Sequence, residues 1–264
     1  MIKAEIKEIL LPYPQKADRK IWVYVPEHNE GDILPVIYMT DGQNLFDSAA
    51  TPHGCWEVAD AVEKEQENGL PGAVIVGIDN GNIYRDSELT PKSIGEVLHT
   101  DLLNEIFTPE GECFDDFLVN TVIPYVRSSF PVSTDRAENA VCGSSSGGLQ
   151  SFFAGIAHSD LFSAVGALSP AFLLYSRQDW ESYLVPRISD SSPYIYIYSG
   201  AVGEEEQMIF DSVEMMYDLL CDIGYPYDKM NEVVLAENEH NEKAWREIFP
   251  DFLHTFLSRS TDKG

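Results

Sequence analysis

The sequence predicts a doubly wound, mostly parallel α/β fold, and three observations predict it. Short apolar runs recur along the whole chain, stretches of helical periodicity lie between them, and the runs show little polar alternation. Strands buried on both faces by helices have that character. The 264 residues suit one such domain over 1–264, and no repeat, low-complexity stretch or linker divides them.

The elements follow in order. Residues 2–10 and 19–25 predict an antiparallel opening pair, because Ile21, Val23 and Val25 fall on one face and Trp22 and Tyr24 on the other. Buried-type strands are predicted at PVIYM (35–39), AVIVGI (73–78), NAVC (139–142), AVGAL (164–168), YIYIY (194–198) and EVVL (232–235). Helical spacing marks 55–68 (Trp56, Ala59, Val62), 114–129 (Phe117, Leu118, Val122, Tyr125), 205–222 (Met208, Val213, Met216, Leu219, Leu220) and 243–257 (Trp245, Ile248, Phe252, Phe256). Alternating strands and helices predict right-handed crossovers. Two segments break the rhythm, 80–112 and 170–192. Long excursions at the carboxyl ends of parallel strands are where such folds build substrate sites.

The formal net charge is −27. A surface this acidic repels phosphate backbones and anionic headgroups, so neither nucleic acid nor membrane is an expected partner. It also disfavours highly anionic substrates, and its plain reading is solubility or adaptation to salt. No apolar run is long enough to cross a bilayer, and the start alternates apolar and charged residues like a strand, so the expected compartment is the cytoplasm. Cys55, Cys113, Cys142 and Cys221 lack metal-ligand spacing and read as buried small hydrophobes.

The strongest chemical signal is GSSSGG at 143–148, which holds Gly-x-Ser-x-Gly in one register, with Ser145 central. By itself that pattern arises by chance in about one chain in ten of this size. Here Val141 and Cys142 end an apolar run before it, and the helical stretch LQSFFAGIA (149–157) follows. This is the strand–turn–helix setting of the α/β-hydrolase nucleophile elbow. The flanking glycines let strand and helix close around a strained turn. Ser144 and Ser146 read as ordinary turn residues, apart from the Ser146 amide.

A serine hydroxyl needs a base. Of six histidines, His240 follows the last predicted strand and precedes the final helix, the position this fold gives its histidine. His254 lies inside that helix and reads as structural. An acid should follow the strand at 194–198 to orient the imidazole. Glu204, Glu205 and Glu206 all qualify on position. Glu204, nearest the strand end, is the first choice and Glu205 the second. The tetrahedral oxyanion needs donors. The Ser146 amide is one, and the Gln43 amide, in the loop 40–44 where Gly42 would permit the turn, is the other. Asp41 reads as a brace of that loop, and no metal or organic cofactor is expected.

Five blocks in order then resemble the "putative esterase" family of α/β-hydrolases, which includes enterochelin-type siderophore esterases, acetyl-xylan and feruloyl esterases, S-formylglutathione hydrolase and the antigen 85 mycolyltransferases. YMTDGQNLFD (38–47) is similar to the family's YMHDGQNLFD, VGIDNG (76–81) to VGIDNG, GSSSGG to GSSMGG, GALSPAF (166–172) to GALSPSF, and EHNEKAW (239–245) to EHNEAAW. The resemblance implies Ser145 and His240 as catalytic residues and supports Gln43 and Ser146 as oxyanion donors. Two departures stand out. Ser146 replaces a common methionine, and the loop from Gly200 to Glu204 is a residue longer than the family's Gly-x-x-Glu/Asp.

The expected substrate is a neutral ester, an acetylated or aromatic-acylated carbohydrate ahead of a simple short acyl chain, with Trp56, Tyr84, Trp180 and Tyr183 as candidate stacking surfaces. Acyl transfer to an alcohol by the same triad and thioester hydrolysis on S-formylglutathione are the chemical alternatives. A binding module that has lost its chemistry is the non-enzymatic one, and the ordered Ser, carboxylate and His argue against it.

Overall fold

The computed structural model describes residues 1–261. Residues 262–264, the end of the predicted 1–264 span, lie outside the described residues. Eight strands form one sheet in the order β1-β2-β4-β3-β5-β6-β7-β8. β1 (Glu5–Leu11) and β2 (Arg19–Val25) are antiparallel, and β2 pairs antiparallel with β4 (Val74–Ile78). From β4 onward every pairing is parallel: β3 (Val36–Thr40), β5 (Asn139–Ser144), β6 (Ala164–Leu168), β7 (Tyr194–Ser199) and β8 (Met230–Val234).

Alternate side chains of the inner strands enter different cores. Val36, Tyr38, Val74, Val76, Val165 and Ile195 join one, packed by α5 (Ser146–Ala157), α7 (Glu204–Asp222) and the helices of 111–129. Ile37, Met39, Ile75, Tyr196 and Tyr198 join the other, packed by α1 (Val58–Glu67) and α8 (Glu242–Thr261). The near-continuous apolar runs are explained by this two-sided burial.

The predicted helix at 114–129 is three pieces: α3 (Gly111–Phe117), a π-helical segment (Leu118–Val122) and α4 (Ile123–Ser129). Pro124 lacks an N–H and its ring crowds the carbonyl four residues back, which the wider turn relieves. The excursion 80–112 contains α2 (Arg85–Glu88), and 170–192 contains α6 (Arg177–Leu184), opened by a Ser176–Asp179 capping box. Cys55 and Cys142 are buried as expected, whereas Cys113 and Cys221 are exposed; all four are free thiols. Among the described residues, no helix is long and apolar enough to cross a membrane.

Candidate active site

β5 ends at Ser144 and α5 begins at Ser146, so Ser145 is the entire turn between them. Its backbone has φ 59° and ψ −128°, a region that L-residues rarely occupy. Three hydrogen bonds hold it there. Its N–H donates to the Leu168 carbonyl at the end of β6, and its carbonyl accepts from Leu149 and Ala171. The glycines act by close approach. A Cβ on Gly147 would stand 2.1 Å from Thr40 Oγ1, and one on Gly143 2.3 Å from the same atom. β5, α5 and the end of β3 can therefore meet only without those side chains.

His240 lies on the loop between β8 and α8, and its partner is Glu206. The Nδ1–Oε2 distance is 2.5 Å, and the Glu206 side chain is fully buried. The other Glu206 oxygen accepts from Ser169 Oγ at 2.8 Å and from the Gly200 N–H at 2.5 Å. Trp245 Nε1 donates to Ser169 Oγ at 3.1 Å, and its ring packs edge-to-face on the imidazole. A buried carboxylate needs such donors. The acid and histidine loops are also joined directly, since the Ala201 and Val202 amides donate to the Asn238 carbonyl. A Cβ on Gly200 would meet that oxygen at 2.2 Å.

The choice of Glu204, with Glu205 second, is therefore corrected. α7 begins at Glu204, directly after the β7 loop, and each residue turns the side chain by about 100°. Glu204 and Glu205 point outward, and only Glu206 falls on the buried stripe that continues through Ile209, Val213 and Met216. Counting back from that stripe in steps of three and four is the sequence signal that identifies it. Glu205 reaches the other edge of the ring, with Oε1 3.6 Å from His240 Nε2, but it is 74% exposed.

Gln43 and Ser146 are placed at the starts of two helical turns, 42–44 and α5, where early N–H groups have no intrahelical acceptor. Gly42 does not supply the turn. The left-handed residue is Asp41, at φ 55° and ψ 46°, and Gly42 instead packs against β4, where a Cβ would stand 2.5 Å from the Gly77 carbonyl carbon. Asp41 accepts from Arg85 Nε at 2.7 Å, Arg85 Nη2 at 2.8 Å and Asn80 Nδ2 at 2.6 Å. It braces the loop, as expected. His254, also as expected, is structural, bonded to Glu65 at 2.8 Å. Among the described residues, no three His, Cys, Asp or Glu side chains are grouped as metal ligands.

Ser145 and Ser146 open into a cavity of about 500 Å³. One wall is apolar, from Leu102, Leu103, Ala171, Leu173, Leu174, Met208 and Ile209, and the rest carries Arg85, Asp86, Glu204 and Glu205. The four aromatics considered as stacking surfaces are elsewhere. Trp56 packs on Trp245 and Phe249, and Trp180 and Tyr183 lie in a buried aromatic cluster. Tyr84 lines a separate groove with Lys16 and Arg19. Each of the three buried rings fills core space instead.

Solved structures share this architecture. A ferulic acid esterase matches 98% of this chain and 100% of its own, at TM-score 0.70 and 18% identity. The siderophore hydrolase EstB from Aspergillus nidulans matches 96% of this chain and 95% of its own, at TM-score 0.72 and 19% identity. The enterochelin esterase from Shigella flexneri, at TM-score 0.72 and 19% identity, matches 97% of this chain, which spans 58% of that protein. Likeness at these identities establishes the α/β-hydrolase fold. The family model described as "Putative esterase" matches residues 15–254, and the chain belongs to that esterase family.

Proposed function

We propose that the protein is a serine carboxylesterase that hydrolyses a neutral ester through an acyl-enzyme on Ser145. The observation that carries the proposal is the buried Glu206–His240 pair, tied to the elbow through the end of β6, where the Leu168 carbonyl accepts from the Ser145 N–H and the next residue, Ser169, donates to Glu206. In this reading His240 Nε2 takes the Ser145 hydroxyl proton as Oγ attacks the ester carbonyl. Glu206 holds Nδ1–H and stabilises the imidazolium, and the Gln43 and Ser146 amides receive the oxyanion. The imidazolium returns its proton to the leaving alkoxide, and the alcohol departs. Water, deprotonated by His240, then attacks the acyl-enzyme, and the imidazolium gives that proton to Ser145 Oγ as the acid is released.

The apolar wall suits an acyl group with an apolar or aromatic face, and the carboxylates on the rim oppose anionic esters. An acetylated or feruloylated carbohydrate meets both conditions. Among the described residues the cavity lining carries no aromatic ring, so selectivity is assigned to the acyl side. Two measurements test the proposal. A fluorophosphonate should label Ser145 alone, and Ser145→Ala should lower turnover of nitrophenyl esters by about 10⁶-fold with the fold intact. Labelling of Ser144 or Ser146 in its place would overturn the assignment. A panel of acetate, butyrate, octanoate and ferulate esters then ranks the acyl group.

A further inference from the structure

We infer that Arg85 is the positioning residue of the oxyanion hole, holding its two donors in register. The inference rests on the esterase reading of the cavity. Arg85 begins α2, in an irregular excursion with no strand or long helix to fix it, yet its guanidinium touches three points around the reaction centre. Nε and Nη2 fork onto both oxygens of Asp41, two residues before Gln43. Nη2 also donates to the Ser144 carbonyl, one residue before the nucleophile, at 3.3 Å. Nη1 donates to Asp86 Oδ1 at 3.3 Å, and that same oxygen accepts the Ser146 hydroxyl at 3.0 Å. One planar cation thus ties the loop of the first donor to the residue of the second.

The loop needs such a tie. Asp41 occupies the left-handed region, which aspartate enters more readily than most residues but at a cost that glycine would not bear. Asn80 adds a second clamp, donating from Nδ2 to Asp41 and from its amide to Gln43 Oε1 at 3.2 Å. The excursion is itself anchored from behind. Glu88, at the other end of α2, is fully buried and takes a bidentate pair of 2.8 Å bonds from Arg19 on β2. Although Arg85 lines the cavity, it is not a free cation awaiting an anionic substrate. Four of its N–H groups are engaged, and its charge faces Asp41 and Asp86. The fork geometry is specific to arginine, because a lysine ammonium cannot reach all three acceptors as a rigid plane.

The test is the kinetics of Arg85→Ala and Arg85→Lys on nitrophenyl acetate, with thermal unfolding as a fold check and fluorophosphonate labelling of the wild type. Losing one oxyanion donor costs about 10²–10³-fold in turnover, so Arg85→Ala should lower kcat by about 10²-fold while KM stays within about threefold. Added guanidinium ion at millimolar concentration should recover part of the kcat of Arg85→Ala and none of that of Ser145→Ala. Arg85→Lys keeps the charge and tests the fork if the alanine variant does not fold; it should lose about tenfold in kcat. A kcat within threefold of wild type in a folded variant overturns the inference. So does a loss confined to KM, which would make Arg85 a substrate contact. A wild type that is neither labelled nor active overturns the esterase reading as well, whereas an active, labelled wild type with an equally active variant overturns only the brace.

Discussion

Three consecutive glutamates begin α7, and helix geometry separates their roles. Glu204 and Glu205 look onto the cavity, while Glu206 turns inward and meets His240 with three donors around its carboxylate. Replacing the charge but not the shape is the sharpest probe. Glu206→Gln should lower kcat by about 10³–10⁴-fold with little change in KM, because the imidazole loses both its tautomer partner and its charge support. Glu204→Gln and Glu205→Gln should stay within about threefold. A large loss in Glu204→Gln, with Glu206→Gln near normal, would contradict the geometry. The places of Ser145 in the turn after β5 and of His240 in the loop after β8 were legible because each lies at a fixed point relative to a strand end. The Glu206–His240 contact was not foreseen, because helical phase and not distance from the strand decides which glutamate turns inward. Arg85 left no signal, being a lone arginine in an aperiodic segment whose partners are up to 59 residues away.

At the scale of elements, all eight strands were legible: β3 to β7, buried at every position, write apolar runs, the outer β1 and β2 show alternation, and the half-buried β8 keeps a short apolar run. The opening pair also kept its predicted faces, with Ile21, Val23 and Val25 in one core and Tyr24 in the other. Short helices inside excursions were missed. α6 looked like an aromatic-rich loop, although the Ser176–Asp179 capping box announces its start. One element carries a testable cost. On the edge strand β8, burial raises the Glu232 carboxyl to about 7, helped by the nearby charges of Glu214 and Asp218, and its Oε1 has no hydrogen-bond partner. A carboxyl whose pKa is raised on folding contributes stability below its unfolded pKa, near 4.5, and that stability is lost as pH climbs through about 7. Glu232→Gln should therefore raise Tm at pH 8 and leave it nearly unchanged at pH 5. An equal shift at both pH values would show that ionisation is not the cause.

For the whole molecule, the dominant physical quantity is the net charge of −27. The candidate cavity does not escape it. Arg85 is matched by Asp41 and Asp86, which leaves Glu204 and Glu205 facing the entrance without a cation in the lining to offset them. An anionic ester thus meets a repulsive field at long range and again at the mouth, whereas a neutral ester meets neither. Mobile ions shorten that field, because the Debye length falls from about 10 Å at 0.1 M to about 3 Å at 1 M. Two nitrophenyl esters matched in length, one ending in a methyl group and one in a carboxylate, isolate the effect. Raising potassium chloride across that range should increase kcat/KM several-fold for the carboxylate ester and leave the methyl ester within about 1.5-fold, since only the charged partner feels the screening. Glu204→Gln combined with Glu205→Gln should then reproduce part of the gain at low salt, because it removes the nearest part of the field and leaves the rest of the surface unchanged. If salt accelerates both esters equally, it is acting on the enzyme's conformation, and the acidic surface has no part in choosing the substrate.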